Sequence, residues 1–268
     1  VGGNLGGSVS TAGNLNGDDY DDIIIGAFSS SQGVAFVIYG GINLTDINLA
    51  TLTISQGFSI TGANSGDQAG FSVSAAGDIN KDGYDDVIIG APGYFSSTGS
   101  AYVIYGGKNL TNINLSTLTT LQGFSITGEQ SNSKTGFSVS SAGDLNKDGC
   151  ADVIISSPSY SSSTGKVYVI YGGKNLTNIN LISITDNQGF TITGAGSNYY
   201  TGSSVASASD VDGDGYNDIV IGADVVAVPL DVVTVPIILA VPVDTLVTTQ
   251  DEASTVAADV LSLLQVPP

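Results

Sequence analysis

Four nine-residue windows align along the chain: Asn-Leu-Asn-Gly-Asp-Asp-Tyr-Asp-Asp from Asn14, Asp-Ile-Asn-Lys-Asp-Gly-Tyr-Asp-Asp from Asp78, Asp-Leu-Asn-Lys-Asp-Gly-Cys-Ala-Asp from Asp144 and Asp-Val-Asp-Gly-Asp-Gly-Tyr-Asn-Asp from Asp210. Successive starts lie 64, 66 and 66 residues apart. A fixed period of this length marks one supersecondary unit repeated along the chain, each copy burying its apolar face against the next. A Ser- and Val-rich segment precedes each window, and an apolar run such as Val87–Ala91 follows it.

The first three units share a second half. An aromatic-rich stretch ends in Tyr-Gly-Gly, a linker of the type Asn-Leu-Thr-Asn-Ile-Asn follows, and a short Gly-Phe-Ser-Ile-Thr-Gly stretch closes the unit. The second unit therefore reads as four strands, near 70–76, 86–91, 100–105 and 123–127. Four short strands per repeat with Gly-rich turns describe a blade of a β-propeller, so the expected fold is all-β, with about four four-stranded blades. No stretch has helical periodicity long enough for a helical solenoid. The repeats fall near 1–62, 63–128, 129–194 and 195–223, a propeller segment over 1–223. From Asp224 to Pro268 there is no Gly and no aromatic residue, and Val and Pro dominate. This 224–268 segment reads as a linker, or the start of a further domain, able to supply edge strands, with a short helix near 252–264. Its run 225–243 is apolar, but Pro229, Pro236, Pro242 and Asp231 argue against a membrane span.

The windows place oxygen donors at positions one, three, five and nine, with a backbone carbonyl at position seven. The resulting metal-ligand set is Asn14, Asn16, Asp18, Tyr20 and Asp22; Asp78, Asn80, Asp82, Tyr84 and Asp86; Asp144, Asn146, Asp148, Cys150 and Asp152; and Asp210, Asp212, Asp214, Tyr216 and Asp218. Alternate donors on a tight loop suit Ca2+, which takes six to eight oxygens, and Gly at position six permits the bend. An EF-hand is rejected because its position-twelve Glu is replaced by Ile25, Ile89, Ile155 and Ile221 within strand-type sequence. The competing reading is a plain Asx-rich hairpin turn; recurrence at fixed period favours calcium, three to four ions in all. The first loop, with Asn14 leading and Asp19 at the Gly position, is expected to bind more weakly or to stand empty.

Composition narrows the partners. The chain has 25 acidic residues against six Lys and no Arg, a net charge of −19, and 15 of those acids lie in the four windows. Nucleic acid and anionic membrane surfaces are thereby disfavoured. There is no His and one Cys, so neither a zinc site nor a Ser-His or Cys-His triad can be assembled, and no Gly-x-Ser-x-Gly elbow or phosphate loop occurs. A non-enzyme is expected. Asn43, Asn109 and Asn175 each open an Asn-Leu-Thr glycosylation pattern, which the recurrence of the linker already accounts for.

The stretches Gly70–Gly93 and Gly136–Pro158 resemble FG-GAP repeats of integrin α-subunit propellers, and the Tyr-Gly-Gly strand with its linker resembles bacterial, especially cyanobacterial, versions of that repeat. The resemblance covers about residues 2–223, with departures: Ser156-Ser157-Pro158 replaces Gly-Ala-Pro, and Ser204 stands where an opening Phe is expected. It implies a seven-bladed parent ring, calcium in hairpin loops on one face, and an extracellular or cell-surface adhesion module with a protein or polysaccharide ligand. Further blades would come from the rest of a parent chain or from a second copy. The alternative it implies is a non-catalytic propeller attached to a secreted hydrolase of phospholipase-D-like type.

Overall fold

The structure is a computed structural model, and it describes residues 3–28 and 31–224 together with the backbone of 237–241. The expected helix near 252–264 and most of the 225–243 run lie outside the described residues. The first sheet runs β1 (Asn4–Gly13), β2 (Asp22–Phe28), β3 (Val34–Ile38) and β4 (Gly57–Thr61), each antiparallel to the next. The second is β5 (Ser72–Gly77), β6 (Asp86–Ala91), β7 (Ser100–Ile104) and β9 (Gly123–Thr127), within two residues of the sequence expectation at every boundary. The third is β10 (Val139–Gly143), β11 (Asp152–Ser157), β12 (Lys166–Ile170) and β14 (Gly189–Thr193). In the fourth, β15 (Ser204–Ser209) and β16 (Asp218–Ala223) are joined by β17 (Ile237–Val241) from the Pro/Val-rich segment.

These sheets are propeller blades packed face to face. Strand alternation sends Val87 and Ile89 of β6 toward the first blade, where they join Ile24, Val37, Phe58 and Ile60 in one core. Ile88 points the other way, into the core shared with Val153 and Ile155 of the third blade. A third core joins Ile154, Val167 and Val169 to Val205, Ile219 and Ile221. The innermost strands are also clasped by hydrogen bonds. Val73 N donates to Ser8 Oγ (3.0 Å), Val139 N to Ser72 Oγ and Val205 N to Ser138 Oγ (both 3.1 Å). The recurrent Ser-Val pair thus supplies one apolar and one polar inter-blade contact per unit. Register also corrects the alignment of the fourth unit. Ser72 pairs with Gly90 and Ser204 with Gly222, so Ser203, not Ser204, occupies the position of Phe71.

The linker between the third and fourth strands does more than connect. In the second blade it forms β8 (Ile113–Asn114), parallel to β4 of the preceding blade, and Asn112 Oδ1 accepts from Ser59 N (3.0 Å). In the third blade it forms β13 (Ile179–Asn180), parallel to β9, and Asn178 Oδ1 accepts from Ser125 N (3.0 Å). The outer edge of each covered blade is therefore paired rather than left open. Asn48, Asn114 and Asn180 then cap the following 3₁₀ turns, accepting from Ala50, Ser116 and Ile182 N.

Candidate metal centres

Each window is the hairpin loop between the first and second strands of its blade, so the four loops lie at one end of the strands. Their shape is set by side chains folding back on the backbone. In the second loop Asp78 accepts from Asp82 N (3.0 Å) and Gly83 N (2.9 Å), Asn80 Oδ1 from Asp82 N (2.9 Å), and Asp82 Oδ1 from Tyr84 N (3.0 Å). The third loop repeats this through Asp144, Asn146 and Asp148, the last accepting from Cys150 N. In the first, Asn14 Oδ1 accepts from Gly17 and Asp18 N, while Asp19 takes the position-six bend at φ +71, a conformation Asp tolerates better than most residues. In the fourth, Asp210 accepts from Gly213 and Gly215 N, and Asp214 from Tyr216 N. In all four loops side chains at positions one, three and five thus fold back onto the loop's own backbone or onto one another.

Position nine has a second role that the sequence reading missed. Asp22, Asp86 and Asp152 are buried, and each accepts two backbone N–H bonds. One comes from seven residues upstream, at Leu15, Ile79 and Leu145 (2.8–3.0 Å); the other comes from the first Gly after the third strand, at Gly40, Gly106 and Gly172 (2.8–2.9 Å). This carboxylate ties the loop to the end of the third strand. The sequence signal was the recurrence of Tyr-Gly-Gly with Asp at position nine. Burial raises the pKa of Asp86 to about 8 and of Asp152 to about 7; the backbone bonds oppose it, and the carboxylates at positions one and five add to it. Asp22 shifts upward mainly through burial.

Among the described residues the fourth loop lacks the tie. Asp218 accepts from Val211 N (2.7 Å), but its Oδ1 is buried without a partner among the described residues, and the sequence has no Tyr-Gly-Gly after Ala223. Carboxylate oxygens of Asp210, Asp212 and Asp218 lie within 4.8 Å of one another. An all-oxygen donor set of this kind fits a hard cation such as Ca2+.

Neighbouring loops touch. Asn14 N donates to Asp85 Oδ2 (2.8 Å), Ala151 N to Asp78 O (3.0 Å), and Lys81 Nζ to Asp148 O (3.0 Å), while Lys147 Nζ lies 3.3 Å from the centroid of the Tyr216 ring. Cys150 is buried, and burial together with the neighbouring Asp148 pushes its thiol up, which disfavours the reactive thiolate.

The blades and their connections define a β-propeller with acidic hairpin loops at one end of its strands. Comparison with known proteins agrees. The FG-GAP repeat matches residues 69–104, 135–170 and 201–228. Integrin alpha pat-2 of Caenorhabditis elegans is 32% identical over 228 residues, covering 80% of this chain and 17% of that one. Integrin alpha-5 of Xenopus laevis is 28% identical over 220 residues, covering 76% and 20%. Phosphatidylinositol-glycan-specific phospholipase D of Mus musculus is 32% identical over 169 residues, covering 56% and 18%. The chain is an FG-GAP repeat protein, integrin-α-like across its blades, and it spans a fifth or less of each of these relatives.

Proposed function

We propose that the chain is a calcium-binding β-propeller module of a secreted or cell-surface protein, non-catalytic, acting in adhesion or in protein or carbohydrate interaction. The observation that carries the metal reading is the fourth loop, where the carboxylates of Asp210, Asp212 and Asp218 converge. On this reading the loops hold one ion each, the first loop weakly or not at all, three to four in all, through positions one, three and five, the position-seven carbonyl and the remaining lone pairs of position nine. The ion offsets the mutual repulsion of the loop carboxylates and stabilises the fold by mass action. Extracellular calcium modules bind at about 10⁻⁴–10⁻³ M, which matches a site filled outside the cell. The interaction role rests on similarity to integrin α chains, whose remaining length this chain does not span.

Residues 1–223 make up the propeller segment in this reading, and 224–268 a linker or the start of a further domain, from which 237–241 adds to the fourth sheet. Further blades, from a parent chain or a second copy, would continue the ring. Among the described residues no helix is long and apolar enough to cross a membrane.

Calcium titration by calorimetry tests the metal reading, with melting followed in calcium and in chelator, on the chain and on Asp82→Ala/Asp148→Ala. Three or four binding events and a Tm that falls in chelator are expected, with two events fewer in the double variant. Absence of heat with an unchanged Tm would reduce the loops to hairpin turns. The similarity to phosphatidylinositol-glycan-specific phospholipase D favours a second reading, a propeller accompanying a secreted hydrolase; a hydrolase domain in a longer parent chain would decide for it.

A further inference from the structure

At the end of the strands opposite the metal loops, the second blade holds a crevice of about 310 Å³. It opens between the loop 62–70 entering the blade, Tyr94 of the turn 93–99, the blade's outer strands, its linker turn at 115–118 and Asn178 of the next blade's linker. Asn64, Tyr94, Tyr102, Ser125, Thr127 and Asn178 line it. Its volume lies at the small end of the roughly 300–1,000 Å³ range of small-molecule sites.

The repeat supplies an internal comparison. In the third blade the same place is filled: Lys166 stands where Ser100 does, Glu129 where Ala63 does, and the two pair at 3.1 Å, with Lys166 Nζ 4.9 Å from the Tyr160 centroid and 5.3 Å from that of Tyr168. In the second blade Ser100 is folded away, its hydroxyl donating to Ile126 O (2.8 Å), and the space is open. Its polar groups are poised and unspent. Asn64 uses its amide nitrogen on Asp67, leaving Oδ1, and Asn178 uses Oδ1 on Ser125 N, leaving Nδ2. Among the described residues nothing engages Tyr94 Oη, Ser125 Oγ or Thr127 Oγ1.

The rim is rigidly built. Phe95, Ser96 and Ser97 take left-handed conformations (φ 42, 54 and 59), about 1–2 kcal/mol each for non-Gly residues. The turn is held by Gly99 N to Tyr94 O (2.9 Å) and Lys134 N to Ser97 O (2.9 Å). It sets the Tyr94 and Phe95 rings 6.4 Å apart, with Phe95 75% exposed.

We propose that this crevice binds a neutral saccharide unit. No charged side chain lines it, and the Asp67 carboxylate behind it is engaged by the backbone and side-chain amides of Asn64, so no charge is presented to a ligand, while its hydroxyl and amide groups exclude a purely apolar one. A sugar offers hydroxyls that both donate and accept, and an apolar ring face for the Tyr94 ring. The proposal gives a ligand class to the interaction role proposed above and rests on that reading for its purpose, but not on calcium.

The test is a calorimetric titration of the chain with neutral mono- and disaccharides (glucose, galactose, N-acetylglucosamine, cellobiose, lactose), with glucuronate and a Ser/Thr-rich peptide alongside, in calcium and in chelator below the melting transition. Saturable binding of a neutral saccharide is expected, weakened at least tenfold by Ala63→Glu/Ser100→Lys, which copies the filled third blade, and by Tyr94→Ala. Should the double variant lose its melting transition, Tyr94→Ala and Thr127→Val decide. Absence of saturable saccharide binding, preference for glucuronate or the peptide, or binding untouched by the folded variants would overturn the proposal. Loss of the calcium response with saccharide binding intact would strike only the metal reading. A chain that binds calcium but no sugar would strike only this one.

Discussion

Ser209 shows what one residue carries in this repeat. The position before the metal loop is Gly13, Gly77 and Gly143 in the first three units, at φ +63, +67 and +71. A Cβ there would meet Asp85, the Ala151 side chain or Asn217 of the following blade at 2.0–2.7 Å. Ser209 holds the same left-handed conformation at φ +55, where a Cβ is disfavoured by about 1 kcal/mol or more. Ser209→Gly is expected to stabilise the fourth hairpin by up to about 1 kcal/mol, part of the gain being offset by the greater freedom of Gly in the unfolded chain. Slower amide exchange across 204–223 would show it; faster exchange would count against the strain argument. That the oxygen-bearing side chains of positions one, three and five share one loop could be read from sequence, because nine consecutive residues between two strands form one hairpin. The double anchoring of position nine could not, since one of its partners lies 18–20 residues away.

At the scale of elements, the linkers behave as edge covers. Asn112 and Asn178 each accept a backbone N–H from the fourth strand of the blade before, beside a two-residue parallel strand. Asn112→Ala is expected to cost about 1 kcal/mol, lowering Tm by roughly 2–4 °C for a domain of this size. Asp46, at the same place in the first blade, is exposed and makes no such bond, so Asp46→Ala is the internal control and should leave Tm unchanged. Equal shifts in the two variants would show the linker bond to be idle. Strand positions in the second unit were legible because alternation and Tyr-Gly-Gly mark them. The left-handed turns at Tyr94–Ser97 and Tyr160–Ser163 were not, because Ser and Phe carry no signal for positive φ.

For the whole molecule, the telling contrast is between equivalent faces. Val73, Val139 and Val205 are 4–7% exposed and Val87, Val153 and Ile219 at most 1%, each covered by the preceding blade. Their counterparts in the first blade, Val9 and Ile23, are 64% and 48% exposed. A contiguous apolar face of this kind marks an interaction site, and the surface that fits it is another blade of the same repeat. Concentration-dependent association of the 268-residue chain is expected in analytical ultracentrifugation, and Val9→Lys/Ile23→Lys should abolish it while leaving the melting transition in place. A chain monomeric at all concentrations would leave the face without a partner of its own kind.

Sequence by itself determined the repeating unit: the period, the four strands of the second unit, the oxygen-bearing side chains at alternate loop positions and the excess of negative charge all follow from local spacing and composition. Tertiary structure decided what happens between units. Which Ser clasps the next blade, which Asn covers an edge, where Asp at position nine finds its second amide and why one crevice is open while its repeat is filled each depend on residues about 20 to 67 positions apart. Periodicity brings equivalent positions into register, but only packing brings their differences into contact.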